Sequence, residues 1–170
     1  MIIFEDQLAR IIEVLPPLTS GGLTQKINFG WGTKEVLTQY LTQKGKLSFP
    51  LIWLEEGADV NDLREPSVKR KARINIIYES QAPAEFNPYQ HEYDFKLILQ
   101  PILDNLLLAL QQSGISRYSD SNFTTQRVKK FSMREEINKN LVFICNAIVL
   151  DAEITFSGVS SCLQTIQFNN

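Results

Sequence analysis

Histidine is almost absent from this sequence: His91 is the only one among 170 residues. A metal site built on two histidines is therefore excluded, and a nucleophile activated by histidine would have to use this one residue. His91 lies in the polar stretch QHEYD, and we predict no serine or cysteine nucleophile beside it, so an exposed loop histidine is the better interpretation. We expect no catalytic residue, no metal ligand, no cofactor and no enzymatic activity.

Cysteine is scarce as well. Cys145 and Cys162 show neither the C-x-x-C spacing of a metal or redox motif nor the density of a secreted disulfide scaffold. We predict two reduced thiols, with Cys145 in the core and Cys162 at the surface. The stretch MIIFEDQLAR has no basic region followed by an apolar run, so we expect no signal peptide. The most apolar stretch, LDNLLLAL, is far shorter than the roughly 18 residues that span a bilayer. These features indicate a cytosol-like compartment and no contact with a membrane.

An excess of charge of either sign is also absent, because 17 lysines and arginines face 19 aspartates and glutamates, for a net charge of -2. The chain as a whole thus lacks the strong positive field of a nucleic-acid-binding protein and the character of a disordered acidic tail. Any charged partner must meet a local patch. With 44% hydrophobic residues, the chain is long enough for one domain with a sizeable core.

Two helices are predicted in the first third of the chain. Apolar residues recur at helical spacing after Ile2 and stop at a pair of prolines, so residues 1–17 form an N-terminal helix. Residues 18–33, rich in glycine, serine and threonine, indicate a loop with a short extended piece. Thr33 is the predicted N-cap of a helix over KEVLTQYLTQK, and Gly45 is placed to end it. The apolar face of this helix would consist of Val36, Leu37, Tyr40 and Leu41.

Three segments predict strands. The continuous apolar run FPLIWL, 49–54, is typical of a strand covered on both faces, with Trp53 as an interior anchor. A polar, acidic loop over 55–67 should be exposed. Residues 69–78 alternate with period two, which indicates a strand with one wet face, and 141–156 form the longest β-prone run.

A long central helix is predicted over 94–114, kinked or restarted at Pro101. Residues 116–140 are interpreted as a loop followed by an extended arm, and 157–170 as a C-terminal extension. Strands do not alternate with helices along the chain, which favours an α+β fold. We predict a single domain over 1–170, with a mainly antiparallel sheet of about four strands packed against two to three helices.

Charged clusters are the candidate binding surfaces. The acidic cluster after FPLIWL does not match the spacing of an EF-hand, so a solvated loop explains it better than a calcium site. On a strand, Lys69, Lys71 and Arg73 project to one side, roughly 7 Å apart. Such a row fits a solvated face, DNA phosphates or an acidic protein surface. The residues that we predict for a subunit interface or a DNA-facing lumen are Glu55, Glu56, Asp59, Asp62, Lys69, Arg70, Lys71, Arg73, Arg127, Lys129 and Lys130.

The order of segments over residues 33–158 has a parallel in a known group of proteins. It consists of a helix ending in QKG, the run FPLIWL, an acidic loop, the strand RINIIY, a helix beginning YDFKLILQPILDNLLLAL and the late strand LDAEITF. This order resembles that of the small neck and tail-completion proteins of tailed bacteriophages, most of all the tail terminator group. The resemblance implies an α+β subunit without catalytic residues that forms a ring on the tail tube, ends tube polymerisation and docks to the head connector, leaving a lumen for DNA.

From the resemblance we expect a homo-hexameric ring in the neck of the virion, assembled in the host cytoplasm. Its partners would be the tail tube and the connector proteins, with non-specific contact with passing DNA. The alternatives are another phage connector, such as a stopper or an adaptor, a minor tail protein, or a non-viral protein-binding module. A ring needs contacts between unlike patches. We therefore hypothesise that the acidic loop 55–65 pairs with the basic rows at 69–73 and 127–134 of the next copy.

Overall fold

The computed structural model describes residues 2–20, 22–62, 64–80, 92–131, 144–158 and 163–168. Its helical segments are α1 (Phe4–Glu13), α2 (Lys34–Lys44), a 3-10 turn (Gly45–Ser48), a π-helical turn (Asp94–Leu99) and α3 (Gln100–Gln112). Its strands are β1 (Leu18–Ser20), β2 (Leu23–Gln25), β3 (Asn28–Gly32), β4 (Leu51–Glu55), β5 (Val60–Asp62), β6 (Ser67–Glu79), β7 (Ser116–Val128) and β8 (Cys145–Ser157).

Within these ranges, six strands form one sheet in the order β3-β4-β6-β8-β7, with β5 paired to the same edge of β6 as β4. Only β3 and β4 run parallel, and β1 and β2 form a separate hairpin. The predicted single domain with a mainly antiparallel sheet is confirmed. The prediction of about four strands was too low, because β3, β5 and the first part of β7 come from polar or glycine-rich segments that were interpreted as loops.

Helices cover both faces of this sheet. Trp53 and Asn75 are register partners and share one face, over which α2 places Tyr40, with 5.8 Å between the Tyr40 and Trp53 ring centroids. On the other face, Phe4 of α1 meets Phe156 of β8 edge to face at 4.9 Å, and α3 packs beside α1. Leu51 to Leu54 are all buried, which confirms that β4 is covered on both sides.

The predicted wet face of β6 is present only along its first half. Lys69, Lys71 and Arg73 are exposed, as expected. Asn75 and Ile77, which continue the same face, are buried. The difference arises because α2 covers the sheet beside Trp53 and leaves the start of β6 open. The alternation of residues thus identified the two faces of β6. The position of α2, a helix distant in sequence, determines how much of the polar face is exposed to solvent.

The ends of the helices follow their local chemistry. Thr33 caps α2, accepting a hydrogen bond from the Val36 amide at 3.4 Å, and Gly45 adopts the predicted positive φ of 55° after the last turn. Val36 is exposed, so its predicted place on the apolar face of α2 is wrong. Pro101 lies in the first turn of α3, where a residue without a backbone N–H is tolerated. The π-helical turn before it accounts for the predicted restart of the helix.

The segment predicted as a loop at 116–122 is instead part of β7, an edge strand paired with β8. The register of this pair shifts after residue 118, and this irregularity obscures any alternating pattern. The rest of the predicted arm, 132–140, lies outside the described residues, as do His91 and Cys162. Cys145 is fully buried, as predicted.

The C-terminal extension returns to the body of the protein where it is described. The Gln164 amide donates to the Ser113 carbonyl at 3.1 Å, and the Gln167 amide donates to Oε1 of Gln112 at 3.4 Å. Residues 163–168 therefore lie against the end of α3.

Gly30 makes room for the Trp53 ring. The two residues are register partners in the parallel pair of β3 and β4, and a Cβ atom on Gly30 would lie 2.6 Å from Cζ3 of Trp53. The indole Nε1 of Trp53 also donates to the Gly32 carbonyl at 3.3 Å. Trp53 is 1% exposed, which confirms it as an interior anchor.

The substitution Gly30→Ala should lower the free energy of unfolding by about 1–3 kcal/mol, because the added methyl group overlaps the fixed indole. The same substitution in a Trp53→Phe chain should have a clearly smaller effect, because the smaller ring leaves space for the methyl group. Urea denaturation followed by circular dichroism measures both steps of this double-mutant cycle. An equal loss in the two backgrounds would contradict the assigned contact.

Candidate functional site

The acidic residues after β4 follow one edge of the sheet, from the end of β4 beside the middle of β6 to strand β5 beside its first residues. Because β3 and β4 run parallel with Gly32 opposite Glu55, the start of α2 lies beside the end of β4. Three carboxylates, those of Glu35, Glu55 and Glu56, line a shallow depression there together with one cation, Lys34. We name this surface the acidic corner; its members are Glu35, Glu55, Glu56, Asp59 and Asp62. Sequence analysis missed Glu35, since its approach to Glu55 depends on a parallel pairing that no local pattern reveals.

Hydrogen bonds hold two of these carboxylates in place. The Thr33 hydroxyl and the Glu35 backbone amide both bond to the Glu35 carboxylate and lower its pKa. The buried Asn75 side chain donates to Oε1 of Glu55 at 3.0 Å. Glu35 also lies in the first turn of α2, where the helix dipole favours a negative charge. The corner is therefore a preorganised negative surface.

Arg70, predicted as a surface residue, is buried inside the protein at 4% exposure. Its Nε donates to Oδ1 of Asp59 at 2.5 Å, its Nη1 lies 2.7 Å from Oε1 of Glu5, and its guanidinium stands 4.5 Å above the Phe4 ring. Burial acts to lower the pKa of Arg70, but the two carboxylates raise it above its ordinary value, so the side chain stays charged. Arg70 thus joins the acidic loop to α1 within one chain.

The rest of the basic row on β6 is largely neutralised by strand β8. Lys69 Nζ lies 2.7 Å from Oε1 of Glu153, and Arg73 binds both carboxylate oxygens of Asp151 at 2.8 and 3.1 Å. Lys71 is the register partner of Glu153. The row therefore offers a neighbouring molecule little net positive charge. Asp151 and Glu153 alternate visibly in the sequence, but their register with β6 could not be derived from it.

A second charged surface lies at the end of β7, where Arg127 and Lys129 share Glu92 as a neighbour with Lys96 of the π-helical turn, and Lys130 follows in the chain. We name Lys96, Arg127, Lys129 and Lys130 the basic corner. Among the described residues, Glu92 is the carboxylate paired with them, at 3.0 Å from Lys96 Nζ and 3.6 Å from Arg127 Nη1. The hydrogen bond from Lys96, helped by the charges of Arg127 and Lys129, lowers the pKa of Glu92. The cluster remains positive overall, and Lys96 is the member that sequence analysis missed.

The two corners lie diagonally across the sheet. The acidic corner belongs to the edge formed by β3, β4 and β5, where Glu55 lies level with the middle of β6 and Asp62 lies opposite its first residue, Ser67. The basic corner belongs to the opposite edge, where β7 ends beside the first residues of β8. Antiparallel pairing places the start of β8 next to the end of β6, so this is also the opposite end of the sheet. One subunit thus presents opposite charges in opposite directions.

Comparison with known proteins adds no relative: no protein-family model matches the chain, and no curated protein matches it at a significant level. Across the part of the chain that the structure describes, no three histidine, cysteine, aspartate or glutamate side chains are grouped so as to hold a metal ion. None of the described helices has the length and apolar character needed to cross a membrane.

Replacing Arg70 by methionine should destabilise the fold by about 3 kcal/mol, near the lower end for breaking a buried ion pair, because it leaves Glu5 and Asp59 without their cation. Lys71→Met is the matched control, since Lys71 is exposed one position away, and it should change stability by less than about 0.5 kcal/mol. Urea denaturation of both variants at neutral pH measures the difference. Equal effects of the two substitutions would show that Arg70 has no special structural role.

Proposed function

We propose that this chain is a structural, ring-forming subunit of the neck of a tailed bacteriophage, of the tail terminator type. The observation that carries the ring is the placement of the acidic and basic corners at opposite edges and ends of one sheet. The assignment to a phage neck draws on the resemblance of the segment order over residues 33–158. The proposal includes no catalysis and no cofactor.

Unlike patches on one subunit are what a head-to-tail assembly requires. In a heterologous contact, one surface of a copy meets a different surface of the next, and the series closes into a ring when the rotation per copy divides a full turn. The acidic corner of one copy would meet the basic corner of its neighbour. This revises the pairing expected from sequence, because Lys69, Arg70 and Arg73 of the row at 69–73 pair with carboxylates of their own chain, whereas the basic surface around 127–130 keeps a net positive charge.

Apolar side chains beside both corners support an interface. Trp31, Val36 and Val60 border the acidic corner and are between 44% and 67% exposed. Tyr93 and Leu97 border the basic corner and are 50% and 58% exposed. Exposed ion pairs contribute only about 0–1 kcal/mol each, so charge would set direction and register while apolar burial supplies affinity. This combination is typical of protein interfaces.

In the proposed role, the ring sits on the end of the tail tube, stops further polymerisation and presents its other surface to the connector. DNA passing through the lumen would touch the inner wall without sequence preference. A stopper, an adaptor or a minor tail protein would use the same head-to-tail contact with different neighbours. A non-viral binding module would have no need for two complementary corners on one chain.

Reversing one charge at either corner should weaken self-assembly. Glu56→Lys or Lys129→Glu alone should lower the apparent association constant about three- to tenfold, because each places like charges across the contact. The double variant exchanges the two charges and should recover most of the loss. Sedimentation velocity over a range of protein concentrations measures the oligomers, with Lys26→Glu, an exposed lysine outside both corners, as the control.

Two results would contradict this contact. The first is a wild-type chain that remains a monomer of 19.4 kDa at every concentration. The second is a double variant that assembles no better than the single variants, since the corners would then not meet each other.

A further inference from the structure

A third charged feature lies on the open face, at the end of the sheet where β6 begins. It is a pocket of about 500 Å³ between the start of β6, the end of β8 and the start of β7. We name it the arginine pocket; the residues that matter to its chemistry are Arg64, Glu65, Ser67, Arg117, Thr155 and Ser157. None of the residues predicted from sequence as site residues lines it.

The strand register places its polar side chains on one face. Ser67 is the partner of Ser157, and Arg117 is the partner of Thr155. Directly opposed residues in an antiparallel pair point to the same side, and so do alternate residues along a strand. Three hydroxyl groups and one guanidinium are therefore presented together.

Backbone hydrogen bonds fix the walls of the pocket. Oδ1 of Asp62 accepts from the amides of Arg64 at 2.8 Å and Glu65 at 3.5 Å, which shapes the turn that carries Arg64. The Gly158 amide donates to the Pro66 carbonyl at 2.7 Å, which ties this turn to the end of β8. The pocket is thus formed by the fold and does not depend on a loose loop.

Arg64 and Arg117 differ from the paired cations of this region. Lys69, Arg70 and Arg73 each pair with a carboxylate of the same chain. Within the described residues, the guanidinium groups of Arg64 and Arg117 take part in no such ion pair, and the acid on the pocket wall is Glu65. The pocket therefore keeps a positive charge beside a face that is otherwise neutralised.

We propose that the arginine pocket binds a phosphate group, carried either by the backbone of DNA or by a small phosphorylated ligand. Guanidinium groups are planar donors that match phosphate oxygens, and serine and threonine hydroxyls add neutral donors around the same anion. The volume lies in the range of small-ligand sites and exceeds that of a lone phosphate, so it leaves space for the group that carries the phosphate.

Contact with DNA, if it is the source, would be limited to very few phosphates. Farther along the same face, Asp151 and Glu153 are paired with Arg73 and Lys69, so this part of the sheet offers little net attraction to a backbone that followed β6. The salt dependence of binding should then be shallow, since it reports the number of phosphates that are neutralised. The site acts as a single phosphate subsite and not as a nucleic-acid groove.

Isothermal titration calorimetry with inorganic phosphate and with a short DNA duplex tests the site. The double variant Arg64→Gln, Arg117→Gln should bind about tenfold more weakly than wild type to whichever of the two probes the wild type binds, because two charge-assisted contacts are removed. Lys26→Gln serves as the matched control and should bind as wild type does. Circular dichroism of each variant verifies that the fold is intact.

The pattern of binding identifies the source of the phosphate. If the chain binds the duplex and inorganic phosphate competes with it, DNA is the source of the phosphate group. If the chain binds inorganic phosphate but not the duplex, the source is a small phosphorylated ligand. A wild-type chain that binds neither probe, or a double variant that binds as tightly as wild type, overturns the proposal. The site stands independently of ring formation, so the Glu56→Lys variant, whose self-association is weakened, should bind the same probe as tightly as wild type.

Discussion

Strands β6 and β8 pair antiparallel along all thirteen residues of each strand, and every other part of the sheet attaches to this ladder. One edge of it receives β4 and β5, and the other receives β7. The ladder also determines which side chains share a face, and α2 divides one of these faces into a buried half and an open half with its ion pairs. The diagonal arrangement of the acidic and basic corners follows from the same pairing.

The charges of the chain divide into those used for folding and those left for partners. Arg70 joins Glu5 and Asp59 inside the protein, and Lys69 and Arg73 pair with residues of β8. What remains are the arginine pocket and the two corners, of which the acidic one has already given Asp59 to Arg70. A net charge of -2 therefore conceals one acidic and two basic surfaces at different positions, and a count of charges along the chain would not separate them.

Local patterns predicted the elements whose residues carry a strong signal. The cap at Thr33, the buried run of β4 and the alternation in β6 and β8 all lie within short windows of sequence. Strands β3 and β5 and the first part of β7 were missed because they are polar or rich in glycine and are stabilised by neighbours far along the chain. The same reason applies to Arg70, whose alternation with Ala72 and Ile74 indicated its face, while its burial depends on Glu5 of α1. The arginine pocket was missed because it combines three strand ends.

Quantitative mass spectrometry of purified phage particles, made from a genome that encodes this chain, tests the central claim most directly. The account predicts that the chain is an integral virion component, recovered with the tail and connector proteins in a fixed copy number equal to one ring per particle. Recovery of the chain only in the soluble lysate, with none in intact particles, would contradict it.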